Sequence, residues 1–104
     1  MKKLIDGKMY NTETADNIAA WSNTYDRGNF HFCEEYLYKT GKGTYFLHGI
    51  GGSLSKYAQP SGGTGKCGGE DIEVLTPEKA FEWLQSHDLA DIAKREFPER
   101  IEEG

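Results

Sequence analysis

The stretch from Phe30 to His48 constrains the fold more than any other part of the chain. Phe30, Phe32, Tyr36 and Tyr38 fall on one alternation and His31, Cys33 and Leu37 on the other, the period-2 pattern of a strand rich in aromatic side chains. Gly41-Lys42-Gly43 interrupts the pattern, and Thr44 to His48 resumes it with Tyr45 and Leu47 opposite Phe46. An antiparallel hairpin is expected. Glu34-Glu35 breaks the apolar rhythm in its first strand, which predicts a wet strand face or a bulge there.

Shorter signals surround this hairpin. Lys3-Leu4-Ile5 and Lys8-Met9-Tyr10 flank Asp6-Gly7, a pair suited to a tight turn, so a first small hairpin is expected. Asn11 and Thr12 then read as caps of a helix ending near Asn23, because Ala15, Ile18, Ala19 and Ser22 recur at i, i+3, i+4 and i+7 with Trp21 beside them. Residues 49–69 hold eight of the thirteen glycines and Pro60, which reads as a long loop. Ile72 to Leu75 makes a last short strand. Thr76-Pro77-Glu78 then starts a helix: the hydroxyl caps, the proline takes the first turn, and the carboxylate meets the positive helix end. Ala80, Phe81 and Leu84 form the buried stripe of that helix, with Trp83 and His87 beside it. Asp88 reads as the cap of a second short helix through Ile92, Ala93 and Phe97, stopped by Pro98. The expected class is α+β: a small antiparallel sheet with an N-terminal helix and one or two C-terminal helices packed on it. Residues 1–104 read as one domain, with the Gly-rich loop at about 49–69 and a frayed acidic tail from about residue 99.

A chain of 104 residues can bury a core without help from metal or disulfide, since five Phe, six Tyr and two Trp each bury roughly 150–250 Å². No run of about 18 apolar residues occurs, and Asp6 interrupts the N-terminus before a signal region could form, so a cytoplasmic protein with no membrane contact is expected. Cys33 and Cys67 read as idle thiols in that compartment. The net charge of −5 is unevenly spread. Residues 1–69 carry eight Lys/Arg against six Asp/Glu, whereas residues 70–104 carry four against eleven. With no basic cluster beyond Lys2-Lys3 or Lys94-Arg95, direct binding of nucleic acid is disfavoured.

The catalytic motifs do not assemble in the sequence. Gly62-Gly63-Thr64-Gly65-Lys66 resembles a phosphate-binding loop, but Pro60 occupies its first glycine position and Cys67 stands where a hydroxyl should follow the lysine. His31 and Cys33 share a strand face, with His48 and Cys67 as further metal-ligand candidates, but no Cys-x-x-Cys pair is present. Cys33 or Cys67 could meet His31, His48 or His87 as a thiol nucleophile only through the fold. Glu34 and Glu35 point to opposite sides of a strand and cannot share one site. No catalytic residue, cofactor or metal is assigned, and the chain is read as a non-enzyme.

Binding is the better reading. Glu78, Glu82, Asp88 and Asp91 lie along the acidic C-terminal third, where a carboxylate surface can dock on a basic groove and imitate a phosphate backbone. Tyr36, Tyr38 and Tyr57 belong to an aromatic complement larger than a thin sheet needs, and tyrosine is a favoured interface anchor.

The segments Lys3 to Lys8, Asn11 to Ala15, Cys33 to Ala58 and Gly68 to Leu84 together resemble a group of short, mostly uncharacterised proteins of phages, plasmids and other mobile elements of Firmicutes. The resemblance implies a setting in which small proteins block host defence, including anti-CRISPR proteins that bind a nuclease effector. The expected function is therefore that of an acidic inhibitor, with a CRISPR nuclease effector as its protein partner. A homo-oligomeric interaction module is the alternative, and a small enzyme built on the Gly-rich loop ranks last.

Overall fold

The computed structural model describes residues 1–63 and 65–104. The chain opens with β1 (Lys2–Ile5) and β2 (Lys8–Asn11), a separate two-stranded ribbon. Asp6 and Gly7 turn it with φ of 50° and 76°, the two positive values that a type I′ hairpin turn requires. β3 (Asp16–Ser22), β4 (Cys33–Lys39) and β5 (Tyr45–Gly51) follow, then the two-residue ribbon of β6 (Gln59–Pro60) and β7 (Lys66–Cys67). β8 (Gly69–Leu75) completes an antiparallel four-stranded sheet in the order β3-β4-β5-β8.

The expected central hairpin is β4–β5, but its first strand begins only at Cys33: Phe30 to Phe32, read into that strand, belong to the turn before it. The hairpin turn closes by a bond from the Thr40 N–H to the Thr44 carbonyl (2.8 Å), with Gly43 at φ 90°. Side-chain alternation gives the sheet two faces, and each is covered differently. Ala19, Leu37, Tyr45, Leu47 and Leu75 pack on one face against Ala80, Trp83, Leu84, Ala93 and Phe97 of the C-terminal helices. Phe46 and Ile72 pack on the other against Tyr10 of the first ribbon, whose ring meets Phe46 edge-on at 5.6 Å. The order of layers is ribbon, sheet, helices.

The N-terminal helix expected from the Asn11-Thr12 cap to about Asn23 is absent; Asp16–Ser22 form β3 instead, and Ala15 lies in the bend before it. A register shift between Asn17 and Ala19 explains the false signal. A β-bulge carries an extra residue, so Ile18 and Ala19 both join the helix-side core and Trp21 follows them, which counterfeits helical spacing. Ala15 instead packs on the opposite face, and Ser22 is exposed. Asn11 does cap, but it caps a turn: its Oδ1 accepts from the Glu13 N–H (2.9 Å) and its carbonyl from the Ala15 N–H (3.1 Å).

The other helical signals fare better. α1 (Pro77–Ser86) begins as expected, with Thr76 Oγ1 accepting from the Lys79 N–H at 3.1 Å. α2 (Ala90–Glu96) follows, but Asp88 does not cap it. Leu89 holds the cap position without a side-chain bond, and Asp88 sits just past α1 at φ 54°. Pro98 opens a 3-10 turn, Pro98–Arg100. The Gly-rich segment is shorter as a loop than expected, because β5 runs on to Gly51 and β8 begins at Gly69. Thr64, part of the phosphate-loop candidate, lies outside the described residues. Among the described residues no helix is long and apolar enough to cross a membrane.

Candidate functional site

The expected bulge or wet face at Glu34-Glu35 is replaced by a buried carboxylate. β4 keeps register with both neighbours there, and alternation turns Glu35 inward with Cys33 and Leu37, leaving it 2 % exposed. Its Oε1 accepts from Trp83 Nε1 (3.0 Å), and its Oε2 accepts from the Tyr57 hydroxyl and pairs with Lys56 Nζ (2.6 Å). Burial alone would raise its pKa, but Lys56, Tyr57 and Trp83 outweigh burial and hold it below its ordinary value. One side chain thus ties together β4, the 52–58 loop and α1. His87 lies beside this cluster, its ring stacked 4.3 Å from that of Trp21. Burial lowers its pKa against the pull of Glu35, so at neutral pH it is uncharged, and 3.8 Å from Glu35 Oε1 it makes no ion pair. Burial and the Glu35 charge push the Cys33 thiol up, which makes it a poor nucleophile.

The loops converge at one end of the sheet, where Cys33, Gly51 and Gly69 are register partners. They enclose an open groove of about 660 Å³ that includes Arg27, Phe30, Lys66, Cys67 and Glu70. Arg27 is committed to Glu34 (2.8 Å) and Glu70 to His48 Nε2 (2.8 Å). Among the described residues, His31, Cys33, His48 and Cys67 do not gather into a group that could hold a metal ion.

The seven residues singled out as partner contacts divide among three places. Glu78 and Glu82, one helical turn apart, lie on the outward face of α1; Asp88 follows that helix and Asp91 opens α2; all four are exposed. Tyr36 and Tyr38 are half-buried on the opposite side of the sheet. The Tyr36 hydroxyl donates to Glu34 (2.6 Å) and the Tyr38 ring stacks on Phe46 at 5.1 Å. Tyr57 spends its hydroxyl on Glu35. The sequence reading missed Glu35, Lys56, Trp83 and His87 as one cluster. Its signal was present in Cys33-x-Glu35-x-Leu37, which places a carboxylate on an otherwise apolar strand face.

The carboxylates separate into two populations. Glu34, Glu35, Glu70, Asp71 and Glu96 each have a cationic or histidine partner within 4.0 Å. The other twelve of the seventeen Asp and Glu side chains have none among the described residues, and Glu78, Glu82, Asp88, Asp91 and Glu103 are the ones gathered around the two helices. The helical layer therefore presents uncompensated negative charge. Compared with protein-family models, curated proteins and solved structures, the chain matches none.

Proposed function

We propose that the chain is a binding protein that lays its acidic helical layer on a basic, nucleic-acid-binding surface and inhibits the enzyme that owns it, in the manner of an anti-CRISPR protein. The observation that carries this reading is the grouping of Glu78, Glu82, Asp88 and Asp91, all exposed and without an ion-pair partner among the described residues, on the one helical layer. Exposed charges left without internal partners contribute little to folding and are free to meet a complementary surface. On this reading the chain performs no chemistry and works in the cytoplasm of a bacterial host. The test is cleavage of target DNA by a guide-loaded CRISPR nuclease preincubated with the chain at low and high salt. Inhibition that fades with salt and is lost in Glu78→Lys/Glu82→Lys/Asp91→Lys is expected; undiminished inhibition by that triple variant would reject the acidic face as the contact.

A second reading, a homo-oligomeric module without inhibitory activity, has its own observation. Leu4 and Met9 are cross-strand partners on the ribbon and are 65 % and 56 % exposed. Sedimentation at rising concentration decides it: Leu4→Glu should abolish any assembly, and a monomer at every concentration would remove the reading.

A further inference from the structure

We infer that the cavity between α1 and α2 is an anchor pocket that receives one apolar side chain from a partner segment whose neighbouring residues are basic. This rests on the acidic-face reading and gives that face a centre. Phe81, Leu84, Leu89, Ala93 and Ile101 line a cavity of about 330 Å³, near the lower size of pockets that hold small organic ligands. Ile101 is 37 % exposed and Phe81 and Leu89 are only half-buried, so apolar wall faces water. The charged residues of the same lining are Asp88, Asp91 and Glu103 against the single cation Lys94, and none of the four has an ion-pair partner among the described residues.

The chemistry of the occupant follows from those two properties. Interfaces draw most of their binding energy from a few side chains seated in desolvated pockets and use surrounding charge for orientation and rate. An apolar floor selects a leucine-like or aromatic side chain. A lining with three carboxylates and one ammonium selects lysine or arginine on either side of it and repels phosphate, whether of nucleic acid or of a lipid surface. The backbone adds support. Asp88 holds φ 54°, a left-handed conformation that only Gly adopts without cost, and places a negative charge at the negative end of α1, whose last turn has no basic residue. Both features oppose local stability, as residues kept for contact with a partner often do.

The test titrates three probes into the ¹⁵N-labelled full chain at low salt: the peptide Ac-Lys-Lys-Leu-Lys-Lys-NH2, its Leu→Ser analogue, and poly-L-lysine. The leucine peptide should bind at least tenfold more tightly than the serine analogue and shift the amides of Phe81 to Ala93 and Ile101. Ile101→Ser, at an exposed position, should erase most of that preference while leaving the fold intact, and Asp91→Asn should weaken both peptides. Equal binding of the two peptides, or shifts confined to the Glu78 and Glu82 face, would overturn the anchor pocket while leaving the acidic-face reading in place. Failure of poly-L-lysine as well would overturn both.

Discussion

Tyr57 lies across Gly49 so closely that a Cβ at position 49 would overlap its Cζ and hydroxyl. Gly49 is the register partner of Glu35, so the missing side chain on β5 is the opening through which the Tyr57 ring reaches the buried carboxylate on β4. Gly49→Ala therefore expels the ring and removes a hydrogen bond from a buried charge. The expected loss is about 3 kcal/mol, combining overpacking with an under-satisfied carboxylate. Tyr57→Phe alone should cost about 2 kcal/mol, as a hydrogen bond to a charged group does. Because both changes break one contact, urea denaturation of the double variant should show less than the sum of the two. Strict additivity would mean that the ring and the glycine are not coupled.

Acid should weaken the fold in two windows with different causes. His87 has a pKa below its ordinary value because burial disfavours the charged ring, so the unfolded chain takes up a proton first, and stability falls as pH drops below about 6.5. Glu35 is also held low, despite burial, by Lys56, Tyr57 and Trp83; its contribution is present above about pH 4.3 and is lost as pH falls through the lower folded value. Stability measured against pH should lose its upper step in His87→Phe, and Glu35→Gln should lose the Glu35 share of the lower step. Part of the lower step remains in that variant, because Asp71, held down by Lys3, and Glu96, held down against burial by Tyr45 and Lys39, are lowered as well. An unchanged upper step in His87→Phe would assign it elsewhere.

Local rules were legible in the sequence wherever one element decides its own conformation. Asp6-Gly7, the β4–β5 alternation and Thr76-Pro77-Glu78 each carry their geometry in two or three residues. β3 was not legible because its bulge depends on pairing with β4: only the partner strand places Ile18 and Ala19 on one side. The Glu35 cluster failed for the same reason at longer range. Its donors stand 21, 22 and 48 positions away, and a carboxylate inside a strand reads as a solvent-facing residue until Trp83 and Tyr57 are seen to reach it. The acidic helical layer was readable as charge, but which carboxylates were spoken for was not: Glu96 is tied to Lys39 (3.2 Å) and Glu82 is tied to nothing among the described residues.

Two lysine substitutions on α1 should part company. Glu78 stands in the first turn, where a negative charge favours the helix end, so Glu78→Lys is expected to cost about 1 kcal/mol. Glu82 sits mid-helix and is unpaired among the described residues, so Glu82→Lys should leave stability within about 0.5 kcal/mol. Chemical denaturation reads both. A large loss in Glu82→Lys would reveal a structural partner and weaken its use as a contact probe.

Asp88 offers the sharpest separation of stability from binding. Asn tolerates the left-handed conformation and carries no charge at the negative end of α1, and Gly removes the backbone strain altogether. Asp88→Asn should stabilise the chain by about 0.5 kcal/mol and Asp88→Gly by up to about 1 kcal/mol, seen as a raised urea midpoint with unchanged slope. If the anchor pocket is where a basic segment docks, the same variants should bind the leucine peptide more weakly. Gain in folding with loss in binding would show that the aspartate is kept for its contact. Loss in both would instead make Asp88 an ordinary structural residue whose favourable interaction lies within the α1–α2 turn.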